Sequence, residues 1–476
     1  MIKDFEATDL RPKGKIYDVC IIGSGPAGLS IAKKLSGSGL SVGVFEGGGE
    51  TLTEESASIY EGTSAGIKYG HGIRSSRYRA FGGTSAHWQG PRRLMALSLD
   101  EADFLADPGS GLPGWPVPRS ELLAYSPEAE RFLGVEYPSD DLPFPVEGWD
   151  YRRGRFGYGG DLLGILGEHF TDKQEADYFI NANLVDMSLD ESGRINKAFF
   201  RSFNNPDVFE VEARKYVLAC GGMENPRLLL NFNRQVDHGI GNESGFVGRC
   251  FSEHPSIRVG ELWFPRDVRD YLEKRRSARI YLFPRESWLR DNFNFNHMIR
   301  VQPNTSSWWS PTNTRYGSVI VVTKQTANTN SRITLSDDKD ALGLSRMVLD
   351  WRLMEEDVEG IRRAVQTIST NFARFNAGRV RIDERFYADL SASEFIESFD
   401  EMRGGNHHMG TTRMSGSPKY GVVDENCRVH GVGNLYVAGS SVFPTSGHAN
   451  PTLTIVELSL RLSDHLMRVL SPEMIS

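Results

Sequence analysis

The 476-residue sequence predicts an α/β unit on a parallel sheet, interrupted by an α+β unit on an antiparallel sheet. Three observations carry this. A strand–glycine–helix–strand run occupies residues 17–46, a second strand–glycine–helix junction lies at 209–232, and residues 256–352 hold short apolar runs separated by loops. Parallel strands need helical crossovers, whereas antiparallel strands are joined directly by loops, so the two patterns belong to different sheets.

The apolar run 17–22 suits a strand buried on both faces. It ends in Gly23-Ser24-Gly25-Pro26-Ala27-Gly28, which is G-x-G-x-x-G. A helix is expected over 27–38 with Leu29, Ala32 and Leu35 along one face, stopped at Gly39. Residues 41–45 read as a second strand, closed by Glu46, 18 residues after Gly28. Gly23 permits the tight turn, Gly25 lets a pyrophosphate approach the backbone, and Gly28 lets the helix pack on the strand. The free N–H groups and dipole of the helix hold phosphates, and Glu46 accepts hydrogen bonds from a ribose. Glycines alone are common in loops, but here strand, glycines, helix, strand and acid stand in register, which reads as a dinucleotide site. This stretch does not choose between FAD and NAD.

Residues 50–78 are polar and glycine-dotted without a period, and are expected to meander. In RYRAFGGTSAHWQGPRR (77–93), Gly82, Gly83, Thr84 and Ser85 can form a tight loop against a flat or anionic ligand, followed at once by His87 and Trp88. The same residues also fit a surface loop around one buried Trp. Residues 98–161 read as an irregular insertion or part of a second domain. Strands are expected at 178–189 and 195–201 around the turn Asp190-Glu191-Ser192-Gly193, and again at 209–218 before Gly221-Gly222 and a helix at 227–232.

Residues 256–264, 279–283, 298–301, 318–324, 333–335 and 347–352 are the antiparallel candidates. An amphipathic helix follows at 355–374, with Val358, Ile361, Val365, Ile368 and Phe372 on one face. The C-terminal part carries NHHMGTTRM (406–414), strand-like runs at 421–429 and 434–437, the loop GSSVFPTSGHAN (439–450) and an apolar helix over 452–470. Pro451 suits the start of that helix, where its missing N–H costs nothing.

Hydrophobic content of 39% and charged content of 24% describe an ordinary globular chain, long enough for two or three domains. A net charge of −8 argues against nucleic acid or an anionic membrane as the main partner. No apolar run approaches a membrane span, and the first sixteen residues lack an apolar signal core, so a cytoplasmic location is expected. Cys20, Cys220, Cys250 and Cys427 are far apart without C-x-x-C, so neither a metal site nor a disulfide framework is signalled.

Six stretches together resemble the glucose–methanol–choline (GMC) family of FAD oxidoreductases, in its pyranose oxidase and bacterial glycoside 3-oxidase branch. They are GSGPAG with Glu46, FGGTSAHW (81–88), YVLACGGMENPRLLL (216–230), GRCFSEHP (248–255), NHHMGTTRM and NLYVAGSSVFPTSGHANPTLT (434–454), in the family's order. Residues 256–395 match only in general character. The resemblance implies a GMC fold: a Rossmann-like FAD-binding domain from 1–95, 155–255 and 396–476, and a substrate-binding domain from 96–154 and 256–395. It implies FAD rather than NAD. Gly23, Gly25, Gly28 and Glu46 would hold the ADP part, with Val185 on the adenine-facing strand. Gly82, Gly83, Thr84 and Ser85 would line the pyrophosphate and isoalloxazine side, and Gly439 and Ser440 the ribityl chain. Asn450, Pro451 and Thr452 would set a helix N-terminus at the pyrimidine edge, where reduced flavin carries negative charge.

By the family's H-x-x-G-T pattern, His407 takes the substrate hydroxyl proton, and Asn450, five residues after Thr445, is its partner. Hydride then passes to flavin N5. A neutral imidazole accepts the proton near neutral pH, and an amide can hold the same oxygen without competing for it. His408 has the wrong spacing for the base and is expected to orient its neighbour or line the pocket. His87 falls where pyranose oxidases bond covalently to the flavin; the resemblance puts it near the flavin and leaves the bond open. His448, where relatives often carry a small residue, either reaches the substrate or fills space. Trp308 and Trp309 either stack on a sugar or pack.

The resulting expectation is oxidation of a secondary ring hydroxyl of a sugar or glycoside, at C2 or C3, to a keto-sugar. The rivals are a GMC enzyme acting on a sterol, choline or inositol, and a flavin-binding protein without turnover. Oxygen, a quinone or a protein all remain possible electron acceptors.

Overall fold

The computed structural model of the chain describes residues 2–70, 72–87, 96–135, 142–143, 148–151, 176–265, 280–292, 296–303, 316–399 and 404–471. Its largest sheet has eight strands. Along it lie Ile2–Asp4, Ala176–Ile180, Val42–Phe45, Ile16–Ile22, Phe209–Leu218, Ile195–Arg201 and Asn183–Leu189, with Leu435–Val437 also paired to Phe209–Leu218. The strand Phe209–Leu218 is shared. Its first residues pair antiparallel with Ile195–Arg201, and its last pair parallel with both Ile16–Ile22 and Leu435–Val437. The carboxyl ends of Val42–Phe45, Ile16–Ile22, Phe209–Leu218 and Leu435–Val437 therefore lie side by side. Ligands of open α/β sheets bind outside such ends.

The first helix, Pro26–Leu35, stops earlier than the spacing predicts, because Ser36 turns extended and Gly37 takes a φ of +87° before Gly39 is reached. It packs against the last helix, Thr452–Leu470, whose apolar face is buried in the same core.

The second sheet has seven strands in the order Arg379–Ile382, Ser256–Trp263, Tyr316–Thr323, His297–Pro303, Ile280–Pro284, Trp149–Tyr151 and Leu142–Pro143, every pair antiparallel. The helix Glu355–Arg374 covers it. Val358, Ile361, Val365, Ile368 and Phe372 are buried with Val259, Leu262, Val319 and Val321 in one core. Burying side chains of this size contributes about 1.5–3 kcal/mol each.

Three expectations change. Residues 50–78 are not featureless: they hold the helix Glu54–Ser58 and the strand Gly62–Ser64, which pairs parallel with Ser345–Asp350. Residues 421–429 form isolated bridges rather than a strand. Residues 96–135, grouped with the substrate-binding part, share through Leu99, Phe104, Trp115 and Phe132 an apolar core to which both sheets contribute. Tyr125, Ser126 and Glu121 there bond to Asp464, Glu457 and Arg461 of the last helix. Among the described residues, no helix is long and apolar enough to cross a membrane.

Candidate active site

A cavity of about 1560 Å³ opens at the carboxyl ends of the parallel strands and reaches the second sheet at Tyr281, Met298, Arg300 and Val322. Its nucleotide end is built from backbone. Gly23 sits at φ +104°, and a Cβ there would lie 2.5 Å from the Ala219 carbonyl oxygen. At Gly28 a Cβ would come within 2.0 Å of the Gly23 oxygen, so the helix can touch the turn only because residue 28 has no side chain. Gly25, Gly221 and Gly439 also line the cavity, and a Cβ on any of them would meet no protein atom within 4 Å. They leave a bare backbone cradle that suits a pyrophosphate, with the uncapped start of Pro26–Leu35 beside it.

Glu46 closes this end and is buried. Its Oε2 accepts from the Ser24 N–H and hydroxyl at 3.0 and 2.8 Å, and its Oε1 from the Gly48 N–H at 2.8 Å. The carboxylate is thus fixed in place, with acceptor capacity left for a ribose. The Gly82 N–H donates to the Ser24 hydroxyl, which ties the second glycine loop to the first. Gly83, Thr84 and Ser85 line the cavity in the 3₁₀ turn Gly83–His87. Gly28 and Gly82 support the lining from behind and are not part of it. These groups fit an FAD.

Val185 does not line the cavity. Ala182 and Leu184 do, and a register shift in the strand pairing follows between Leu184 and Asp186. On this strand the cavity wall is formed by Leu184, not Val185. His87 ends its turn, and its side chain, like Trp308 and Trp309, lies outside the described residues.

The other end gathers the expected catalytic pair. His407 Nε2 lies 3.1 Å from Asn450 Nδ2, across 43 residues of chain, and both side chains line the cavity. Burial pulls the His407 imidazole down to about 4, so it is neutral at ordinary pH. Among the described residues its Nδ1 has no hydrogen-bond partner. The ring is held edge-on against His254, with centroids 4.9 Å apart at 76°, and against the bare Gly405, where a Cβ would sit 2.7 Å from Nδ1. Asn450 leads through Pro451 into Thr452–Leu470, whose first turn has no side-chain cap and borders the cavity. Gly439 takes φ +111°, and the Ser440 hydroxyl donates to the His408 carbonyl at 2.6 Å, which joins the two C-terminal loops.

His408 lines the cavity as well, but its side chain bonds elsewhere than to this pair. Its Nε2 meets the Tyr69 hydroxyl at 2.8 Å, and burial holds it neutral. Tyr69 in turn donates to Glu253, whose carboxyl is pushed up to about 7 by burial. His448 is buried on the cavity wall with its ring 5.3 Å from Phe283. Ligand atoms of His448, Asp100 and Asp103 lie within 4.8 Å of one another, and the Asn296 amide donates to both carboxylates. Tyr69, Glu253, His254 and Gly405 were not singled out from the sequence. Glu253 and His254 stand inside GRCFSEHP, but nothing local gives them a task.

Residues 18–244 match the FAD binding domain and residues 327–459 the GMC oxidoreductase model. The chain is 27% identical over 326 residues to the fructose dehydrogenase large subunit of Gluconobacter japonicus, covering 64% of this chain and 56% of that protein. It is 23% identical to the C-glycoside 3-oxidase of Microbacterium trichothecenolyticum, over 96% of this chain and 98% of that one. Its fold is similar to that of pyridoxine 4-oxidase from Mesorbium loti, with a TM-score of 0.61 at 18% identity, covering 94% and 99% of the two chains. With an FAD binding domain at its N-terminal part and a GMC oxidoreductase segment at its C-terminal part, the chain belongs to the GMC family of FAD-dependent oxidoreductases.

Proposed function

We propose that the protein oxidises a secondary ring hydroxyl of a sugar or glycoside, at C2 or C3, to the keto-sugar, with His407 as base and Asn450 as its partner. The observation that carries this reading is the His407–Asn450 contact on the cavity wall, with the imidazole neutral. With the Asn450 amide donating to it, the one lone pair of His407 Nε2 is held at the cavity wall by Asn450 until substrate arrives. A substrate hydroxyl takes over that lone pair and gives up its proton to it, while the Asn450 amide holds the alcohol oxygen. FAD, when bound, supplies the acceptor for the hydride leaving the same carbon. The sugar class is supported by the fructose and C-glycoside relatives, and by a cavity that extends well past the nucleotide cradle to the second sheet. Val185 is not carried forward as a ligand contact, whereas Gly23, Gly25, Glu46, Gly83, Thr84, Ser85, Gly439, Ser440, Pro451 and Thr452 are.

Anaerobic bleaching of the yellow protein with a panel of sugars, glycosides and simple diols tests the substrate class. Readmission of air then tests oxygen as acceptor. Sugars or glycosides should bleach it; bleaching by simple alcohols alone would overturn the substrate class. His407→Ala should keep its colour and bleach about 10²–10⁴-fold more slowly, the usual contribution of a positioned base.

A further inference from the structure

Among the described residues, His407 lacks the device that usually orients a catalytic imidazole, a carboxylate or carbonyl on the far ring nitrogen: its Nδ1 has no hydrogen-bond partner there. The direction of Nε2 then comes from the Asn450 amide at 3.1 Å, from packing and from the backbone that carries the ring. That backbone is held by one buried carboxylate. Glu253 is fully buried; its Oε1 accepts from the His407 N–H at 2.8 Å, and its Oε2 from the Gly405 N–H at 2.8 Å and the His254 N–H at 3.0 Å. Between the two held groups of the loop, Asn406 adopts a left-handed conformation at φ +61°. The segment 405–407 thus wraps the carboxylate as a backbone nest, a concavity made for an anion.

Glu253 is itself immobilised. Its own N–H donates to Gln325 Oε1, which also receives the Trp351 indole. Ser252, the residue before it, exchanges two 3.0 Å backbone bonds with Met409. Tyr69 completes the set by donating to Oε1 and meeting His408 Nε2.

We propose that Glu253 is the positioning residue of the active site: it sets the loop 404–408 so that His407 Nε2 faces the cavity beside Asn450, with Tyr69 as its supporting donor. This rests on His407 being the base. Gln in place of Glu253 has only one acceptor oxygen. Its amide would turn N–H groups onto one pair of donors, so the nest must open. A displacement of about 1 Å at a base costs on the order of 100-fold.

The test is a cycle of E253Q, H407A and the double variant, read as the rate of anaerobic bleaching at saturating glycoside and as FAD content. E253Q should retain FAD and KM and lose on the order of 100-fold in rate in the native background. It should lose nothing further in the H407A background. The same loss in both backgrounds, or no loss, overturns the proposal. If E253Q does not fold, Y69F carries the test, with a smaller loss in the native background and none with H407A. An H407A chain that bleaches at the native rate overturns the base assignment instead, an outcome separate from either of these.

Discussion

Burial moves the His407 imidazolium from the ordinary range near 6.5 down to about 4. Two results follow at this residue. First, the base is available across the mildly acidic range. The acid limb of kcat/KM should fall near pH 4 rather than near 6.5, provided the substrate carries no ionising group. A limb near 7 would assign control to the buried Glu253 carboxyl that holds the loop instead. Second, the unfolded chain binds a proton between pH 6.5 and 4 that the folded chain refuses. Stability associated with this residue is present above 6.5 and lost as pH falls through that window. His407→Gln should flatten that part of the stability profile in chemical denaturation, and an unchanged slope would mean that the ring is solvated. The sequence pointed to His407 and Asn450 only through the family resemblance, whose motifs reach Gly410, Thr411 and Thr445 locally, and the structure brings the two side chains to 3.1 Å. Tyr69 and Glu253, 184 residues apart, were not legible, because neither has a local pattern that announces a buried partner.

At the scale of elements, two glycines three residues apart make opposite predictions. Gly28 has no room for a side chain, since its Cβ would press on the Gly23 carbonyl oxygen at 2.0 Å. Gly28→Ala should lower stability by about 1–3 kcal/mol, with or without cofactor, because the helix must lift off the strand. Gly25 has an ordinary backbone conformation, at φ −71°, and open space before it. Gly25→Ala should fold with unchanged apoprotein stability and bind FAD more weakly, as read by titrating the apoprotein with FAD. Equal stability losses for the two would mean that Gly25 serves packing and not the ligand. Elements with a long period were readable in the same way. The helix Glu355–Arg374 falls where its apolar face predicted. Gly62–Ser64 is three residues long, and its strand character comes only from Ser345–Asp350, which no local signal supplies.

At the scale of the whole molecule, one cavity joins parts that the chain keeps far apart. Gly25, Gly221, Gly439 and Asn450 all border it, as do strands of the second sheet. The larger apolar core already joins the two sheets, since Tyr281, Phe283, Met298 and Val322 of the second pack with the first. A ligand that fills the cavity touches both sheets as well. FAD should act as a stabiliser by mass action: at 100 times its Kd it adds about 2.7 kcal/mol, so the Tm of the apoprotein should rise steadily with added FAD. The gain should also be distributed. Amide exchange on FAD rebinding should slow both in the first glycine turn, 23–28, and in the C-terminal segment 439–455. The solvent-facing side of Glu355–Arg374, remote from the cavity lining, should change little. Protection confined to the N-terminal turn would mean that the cofactor spans only the nucleotide end. His407 and Asn450 would then face a cavity without the acceptor their chemistry needs.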